Sequence, residues 1–253
     1  MSGEGPDGAE RPRVSILVPV RNEEGNLATL MAEIERACAP LTPFECLVVD
    51  DGSSDGTGVV LAGLAGGRPW LRRLRHARSC GKSAAIRTGA RAARAPIMVT
   101  IDGDGQNDPA DIPRLVEALL AGGTSVGLCA GQRLGRKDTG FKKLQSRLAN
   151  ALRAAVLGDG TRDTACGLKA LRRDVYLALP HFDALHRFLP ALVRREGYGI
   201  VLVDVVDRPR LTGSSKYGFW DRLRDGAQDL FGVAWLIRRS RVPLVVEVGS
   251  DAH

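Results

Sequence analysis

Two carboxylates one residue apart, Asp102 and Asp104, interrupt the chain at the end of a short apolar run. The stretch 97–109 reads IMVTIDGDGQNDP. Its first five residues have strand character, and the acids follow on a turn that contains Gly103 and Gly105, with Gln106 and Asp108 close behind. Glycines let the backbone turn sharply and let a ligand come close. Hard oxygen donors on such a turn suit Mg²⁺ or Mn²⁺, ions usually shared with substrate phosphates. The same residues also suit an acidic turn that caps a helix starting near Pro109, and the spacing alone does not decide between them.

The elements around this turn supply context. Residues 14–18 (VSILV) read as a buried strand stopped by Pro19, with Arg21, Asn22 and Glu23 on the turn that follows. Residues 24–37 read as a helix, because Leu27, Leu30, Met31 and Ile34 recur at helical spacing. A second strand over 44–49 ends in Asp50 and Asp51, and GSSDGT offers Ser53, Ser54 and Asp55 as caps for a helix through 59–64. A short strand over 71–74, a basic glycine turn at 78–82 and a helix over 83–95 come before the acidic strand; a helix over 109–121 follows it. Strands alternating with helices imply a mainly parallel sheet with helices on both faces, an α/β fold that binds ligands outside the carboxyl ends of its strands. Three polar clusters (Arg21 to Glu23, Asp50 with Asp51, Asp102 with Asp104) therefore converge on one edge.

The second half is less regular. A strand over 125–130 would deliver Gln132 and Arg133 to the same edge; 141–156 reads as a helix with a basic face; 161–169 reads as a loop entering a strand. A helix over 185–195 and a strand over 200–206 follow, then the polar loop RPRLTGSSK at 208–216. One long helix is expected over 217–239, with Phe219, Leu223, Leu230, Phe231, Ala234 and Trp235 near one face. The expected division is a disordered tail over 1–12, one domain over 13–216, an amphipathic helix over 217–241 and a tail over 242–253.

The chain has 253 residues, 44% of them hydrophobic, enough for a full core, and a formal charge of +7 that favours anionic partners. The five cysteines are odd in number and scattered, which argues against a disulfide framework or a zinc site and for a reducing cytoplasm. The first 13 residues lack the apolar core of a signal peptide, and no window approaches the roughly 20 apolar residues of a membrane span. Gly81–Lys82–Ser83 is not a phosphate-binding P-loop, because His76 stands where its first glycine belongs. His181 and His186 read as helix-end or packing residues. Nucleic-acid binding is disfavoured: the acids cluster where a ligand should sit, and only 5% of residues are aromatic.

Taken together and in order, VSILVPVRNEEGNL, VVDDGSSDGT, GKSAAIRTG, IDGDGQNDP and DTACGLKALRR resemble a family 2 glycosyltransferase of the GT-A fold. More narrowly, they resemble the polyprenyl-phosphate glycosyltransferases, whose best-known member is dolichyl-phosphate mannosyltransferase. The likeness runs from about residue 14 to residue 235. It implies a Rossmann-like nucleotide-sugar-binding sheet and places Pro19, Arg21 and Glu23 at the first nucleotide-binding strand end. The family often has tyrosine where Arg21 stands; a guanidinium can also stack on a base. Val49 and Asp51 match positions around the nucleoside base and ribose. Asp102 and Asp104 match the metal acids with Gln106 as their companion, and Arg133 matches an arginine near the donor phosphates. Arg210 and Lys216 match a pair that closes over the diphosphate and the acceptor phosphate. Unlike many relatives, this sequence shows no C-terminal transmembrane helices.

The implied reaction transfers a sugar from a UDP- or GDP-linked donor to a polyprenyl phosphate with inversion, assisted by Mg²⁺ or Mn²⁺. Asp104, Arg210 and Lys216 would stabilise the departing nucleoside diphosphate. Asp163 either orients the acceptor or a metal-bound water, or caps a turn. A family 2 transferase acting on a hydroxyl acceptor would need a carboxylate base, with Asp163 the candidate. The aromatic residues of the last helix beside Arg238, Arg239 and Arg241 suit peripheral attachment at the cytoplasmic membrane face, or packing on the domain.

Overall fold

The computed structural model describes residues 10–134, 157–158, 160–161, 163–208 and 219–241. Among them, seven strands form one sheet: β1 (Val14–Val20), β2 (Phe44–Asp50), β3 (Leu71–Arg75), β4 (Ile97–Thr100), β5 (Val126–Leu134), β6 (Lys169–Arg172) and β7 (Gly199–Val206), in the order β3-β2-β1-β4-β6-β5-β7. The helices are α1 (Leu27–Cys38), α2 (Thr57–Ala65), α3 (Lys82–Ala92), α4 (Ile112–Ala121), α5 (Arg173–Ala178), α6 (Leu189–Arg195) and α7 (Phe219–Arg239). Apolar residues of the central strands point alternately to the two faces. Ile16, Val18, Cys46, Val48 and Val99 join α1, α2 and α4 in one buried layer. Leu17, Leu47, Met98, Leu128 and Leu171 join α3, α5, α6 and α7 in the other. Strands buried on both faces in this way read as continuous apolar runs. Leu27, Leu30, Met31, Ile34 and Cys38 of α1 are all buried, each large apolar side chain contributing about 1.5–3 kcal/mol.

The sheet is mainly parallel, with one exception that matters for the site. β6 runs antiparallel to both β4 and β5, while β7 runs parallel to β5. Because β6 is reversed, it is its start, not its end, that lies at the carboxyl edge of the other strands. The segment leading into Lys169 is thereby brought beside the ends of β4 and β5.

Several boundaries differ from expectation. β1 does not stop at Pro19; it continues to Val20, with Pro19 opposite Val49. Leu17 O accepts from Ile101 N, and Val20 O accepts from Asp51 N, so alternate residues address alternate neighbours. Pro19 therefore faces the β4 side, where pairing has ended at Leu17–Thr100, and its missing N–H leaves no ladder bond unmade. The helix expected over 109–121 begins as a 3₁₀ turn at Pro109–Asp111, capped by Asp108 Oδ1 accepting from Ala110 N at 2.9 Å, before α4 proper. The helix expected over 185–195 is split into a 3₁₀ turn, Leu185–Arg187, and α6, because Pro190 lacks an amide proton and favours the first turn of a new helix. The expected helix over 141–156 lies outside the described residues.

On α7, Val233 and Ala234 are buried against the domain while Phe231 and Trp235 are 75% and 61% exposed. The aromatic pair thus lies off the packed face, which corrects the single apolar face expected from the sequence. No described helix is long and apolar enough to cross a membrane. All five cysteines are free thiols.

Candidate active site

The strand ends of β2, β1 and β4 are neighbours in the sheet, so the three expected clusters do meet. The loops after β1 and β2 are stitched together by the polar residues of GSSDGT. Asn22, in the left-handed region with φ 57°, donates its N–H to Ser53 Oγ at 2.9 Å and accepts from Ser54 N at 2.8 Å through Oδ1. Glu23 N donates to Thr57 Oγ1 at 2.9 Å, and Gly56 N donates to Glu24 Oε2 at 2.7 Å. Glu23 itself accepts from Asn26 Nδ2 at 2.6 Å. Arg21 is exposed. Val49, expected beside the nucleoside base, directs its side chain into the core: it is 1% exposed and lies under α3, where Gly89 leaves room for it. Pro19 is half-buried within β1.

Asp51 is a hub. Its Oδ1 takes His76 Nδ1 at 2.7 Å and Cys80 N at 2.8 Å; its Oδ2 takes Ser79 Oγ at 2.7 Å and Gly81 N at 2.9 Å. Burial pushes this carboxyl up, but the bonds from Cys80, Ser79, His76 and Gly81 prevail and hold it below the usual range. Asp51 thus shapes the basic glycine turn, with Gly81 at φ 90° and His76 Nε2 tied to Thr88 Oγ1 at 2.9 Å. Asp51, His76 and Cys80 bring their ligand atoms within 4.8 Å of one another and could share an ion. The hydrogen bonds already engaging both Asp51 oxygens also account for the cluster without one.

The Asp-x-Asp turn follows β4. Gly105 adopts φ 74°, and a Cβ on Gly103 would come 2.6 Å from Val20 Cγ1, so both glycines are required by geometry. Asp104 is 9% exposed, and its Oδ1 accepts from Gln106 N at 3.2 Å. Asp102 Oδ1 meets Lys82 Nζ, at the start of α3, at 2.5 Å. Its carboxylate lies directly over Gly167, where a Cβ would come 2.3 Å from it. The donor set (two carboxylates and an amide oxygen on a glycine turn) fits a hard divalent cation, and Asp102 already draws one cation, that of Lys82.

Beyond β6, the end of β5 delivers Arg133. Its guanidinium grips Asp163 at two points, Nε to Oδ2 at 2.5 Å and Nη2 to Oδ1 at 3.1 Å, and reaches Asp207 Oδ2 at 3.3 Å. Gln132 clamps the Asp163 backbone: Nε2 donates to its carbonyl at 3.1 Å and Oε1 accepts from its N–H at 3.0 Å. Burial raises the Asp163 carboxyl, yet the hydrogen bonds and charge of Arg133 outweigh it and hold the group low. Asp163 also accepts from Ala165 N at 3.0 Å, so the turn-capping half of the expectation is met by geometry. Asp207 goes the other way: burial, with Asp104 and Asp163 nearby, pushes it up against the pull of Arg133.

Beneath the turn, Lys169 is 2% exposed; its ammonium donates to Thr164 O at 3.2 Å and to Cys166 O. Burial brings its pKa down to about 8. His186 N and Nδ1 meet Ser83 Oγ at 3.3 and 2.8 Å, a packing role as expected. Sequence reasoning missed Lys82, Asn107, Lys169, Asp207 and Arg208. Only Asp207 and Arg208 carried a visible signal, standing just past an apolar strand as the other site residues do. Arg210 and Lys216 lie outside the described residues.

Residues 15–179 match the family model described as "Glycosyl transferase family 2". Over 208 residues the chain is 34% identical to the undecaprenyl-phosphate 4-deoxy-4-formamido-L-arabinose transferase of Pectobacterium carotovorum subsp. carotovorum (strain PC1), covering 81% of this chain and 63% of that protein. It is 36% identical, with the same coverage, to the protein of that name from Sodalis glossinidius (strain morsitans). The chain spans just under two thirds of the length of these curated relatives. Among solved structures, glucosyl-3-phosphoglycerate synthase from Mycobacterium tuberculosis, in complex with Mn²⁺, UDP-glucose and glycerol 3-phosphate, superposes with a TM-score of 0.66 at 21% identity, covering 92% of this chain and 81% of that one. A mannosyltransferase from Pyrobaculum calidifontis, in complex with GDP-Man and Mn²⁺, gives a TM-score of 0.67 at 24% identity, covering 93% and 67%. At these identities the two structures establish a shared GT-A fold.

Proposed function

The chain belongs to the family 2 glycosyltransferases, and from that premise we propose that it transfers a sugar, with inversion, from a UDP- or GDP-linked donor to a polyprenyl phosphate. The product would be a polyprenyl-phosphate-linked sugar used as a donor for cell-envelope glycans. The relatives named as undecaprenyl-phosphate sugar transferases support the acceptor class. The observation that carries the choice is the state of Asp163. A hydroxyl acceptor needs a base, and the candidate is locked in a two-point ion pair that keeps it ionised and weakly basic. A phosphate acceptor is already anionic at neutral pH and needs no proton removed.

In this reading Asp102, Asp104 and Gln106 hold Mg²⁺ or Mn²⁺; the Mn²⁺ complexes of the two solved neighbours support the ion class. The ion supplies Lewis-acid neutralisation of the leaving diphosphate. Arg21, Pro19, Glu23, Val49 and Asp51 form the nucleoside end, with Val49 and Asp51 acting through the backbone and turn they shape. Arg133 lies toward the donor phosphates, and Arg210 and Lys216 cover the diphosphate and the acceptor phosphate. Phe231 and Trp235, exposed beside Arg238, Arg239 and Arg241, support peripheral attachment at the inner membrane face.

The test is calorimetric titration with UDP and with GDP, each with Mn²⁺ and with EDTA, on the wild type and Asp104→Ala. Metal-dependent binding of one nucleotide, lost in the variant, is expected. Binding of neither nucleotide under any condition would overturn the transferase reading. Sugar transfer to polyprenyl phosphate in detergent, compared with transfer to a glycan hydroxyl, then decides the acceptor.

A further inference from the structure

β7 does not simply end at Val206. Its exit is fastened to the Asp-Gly-Asp-Gly-Gln turn. Asp207 forms an isolated antiparallel bridge with Asn107, whose Nδ2 lies 3.5 Å from Asp207 Oδ1. Arg208 N donates to the Gln106 carbonyl at 2.8 Å. The Arg208 guanidinium then spans two more elements: Nη2 meets Asp108 Oδ2 at 2.5 Å, and Nη1 meets both Glu33 oxygens of α1 at 3.0 Å. One cation therefore joins α1, the acidic turn and β7.

The turn needs such a fastening. Between residues 102 and 108 it carries Asp102, Asp104 and Asp108, three like charges, on a backbone loosened by Gly103 and Gly105. Holding a divalent cation requires Asp102, Asp104 and Gln106 to present oxygens to one point together, against this repulsion and flexibility. Arg208 acts on both problems. Its guanidinium neutralises Asp108 and ties that carboxylate to Glu33 of α1, and its backbone N–H, which any residue but proline would supply, holds the Gln106 carbonyl.

We propose that Arg208 is a positioning residue for the cation: it touches no substrate or metal, but holds the Asp-Gly-Asp-Gly-Gln turn in its ion-binding shape. The inference rests on the metal assignment made under Proposed function. A bare structural staple between α1 and β7 would use the same contacts, so the test must read metal affinity apart from stability.

The experiment titrates Mn²⁺ into the protein with saturating UDP and, separately, GDP, following free Mn²⁺ by electron paramagnetic resonance, with thermal melts alongside. Arg208→Ala, which keeps the backbone bond to Gln106 but removes the ion pairs to Asp108 and Glu33, should weaken Mn²⁺ binding about 10-fold, the low end of the losses that follow removal of support around a metal site. Arg208→Lys should restore part of it, because a single ammonium lacks the guanidinium fork that spans two carboxylates. Asp108→Asn, which keeps the helix cap but removes the charge pair, should also weaken it, and carries the test if Arg208→Ala fails to fold. Unchanged Mn²⁺ affinity in folded Arg208→Ala or Asp108→Asn, with only the melting temperature lowered, would overturn the inference alone. A wild type that holds no Mn²⁺ with either nucleotide would overturn the metal assignment and the inference with it.

Discussion

Arg133 and Asp163 face each other as a two-point guanidinium–carboxylate pair, with N–O distances of 2.5 and 3.1 Å. The pair joins the end of β5 to the approach to β6, and it holds the Asp163 carboxyl below its usual range, which in the proposed reading leaves it a weak base. A general base contributes about 10²–10⁴-fold to rate. Asp163→Asn is therefore expected to lower transfer to polyprenyl phosphate while leaving the acid limb of the kcat/KM–pH profile in place. Loss of that limb in the variant would restore Asp163 as a base and favour a hydroxyl acceptor.

Gly167 should be irreplaceable for a reason unrelated to backbone freedom. A methyl group there would come 2.3 Å from the Asp102 carboxylate. Gly167→Ala is expected to displace Asp102 and weaken Mn²⁺-dependent nucleotide binding by about 10-fold or more, with the far-ultraviolet circular dichroism unchanged. Calorimetry on the purified variant measures this; wild-type affinity would show that the turn yields without cost.

Lys169 predicts an alkaline stability gain. Its folded pKa of about 8 lies below the ordinary 10.5, so between these values the unfolded chain binds more protons and stability rises with pH. Lys169→Met should abolish that rise between about pH 8 and 10. Urea unfolding across this range, for wild type and variant, reads the slope directly.

Asp51 predicts the opposite limb. Its folded pKa is lowered, so its contribution is fully present above the ordinary carboxylate pKa and is lost as pH falls through the folded value. Asp51→Asn should flatten the acid side of the stability curve and, by loosening the turn at 78–82, weaken nucleotide binding. An unaltered acid limb in urea unfolding would contradict the hub role.

Phe231 and Trp235 sit one helical turn apart, exposed beside a run of arginines. Flotation with anionic liposomes should carry the wild type, and Phe231→Glu with Trp235→Glu should leave it in the aqueous fraction. A wild type that never floats would assign these residues to a protein contact instead.

The mainly parallel sheet, its first strands and the acidic turn were legible because they rest on local signals: apolar runs, turn glycines and carboxylates at strand ends. What escaped depends on contacts far apart in sequence. Nothing near Lys82 announces that it reaches Asp102, and nothing near Lys169 says that it is buried with its ammonium on the Thr164 and Cys166 carbonyls. The resemblance placed Val49 and Asp51 around the nucleoside, but did not tell that one side chain packs inward while the other is saturated by the distant turn at 76–81. The split of the 185–195 helix was marked by Pro190, yet the apolar spacing across it continued and masked the break.

The reversed strand has one more consequence, for the order of assembly. β1 to β4 follow one another in the chain and pair among themselves, whereas among the described residues β5 and β7 reach that half only through β6, four residues long and last but one of the described strands in sequence. β5 must wait for a later segment before it can join the sheet, a nonlocal step expected to be slow. The segment that completes the weld also brings in Asp163, Gly167 and Lys169. A nascent or partly folded molecule can thus hold a finished nucleotide-side half-sheet and still lack half its site, and pulse-labelled hydrogen exchange should show protection at 169–172 lagging behind that at 14–20 and 44–50.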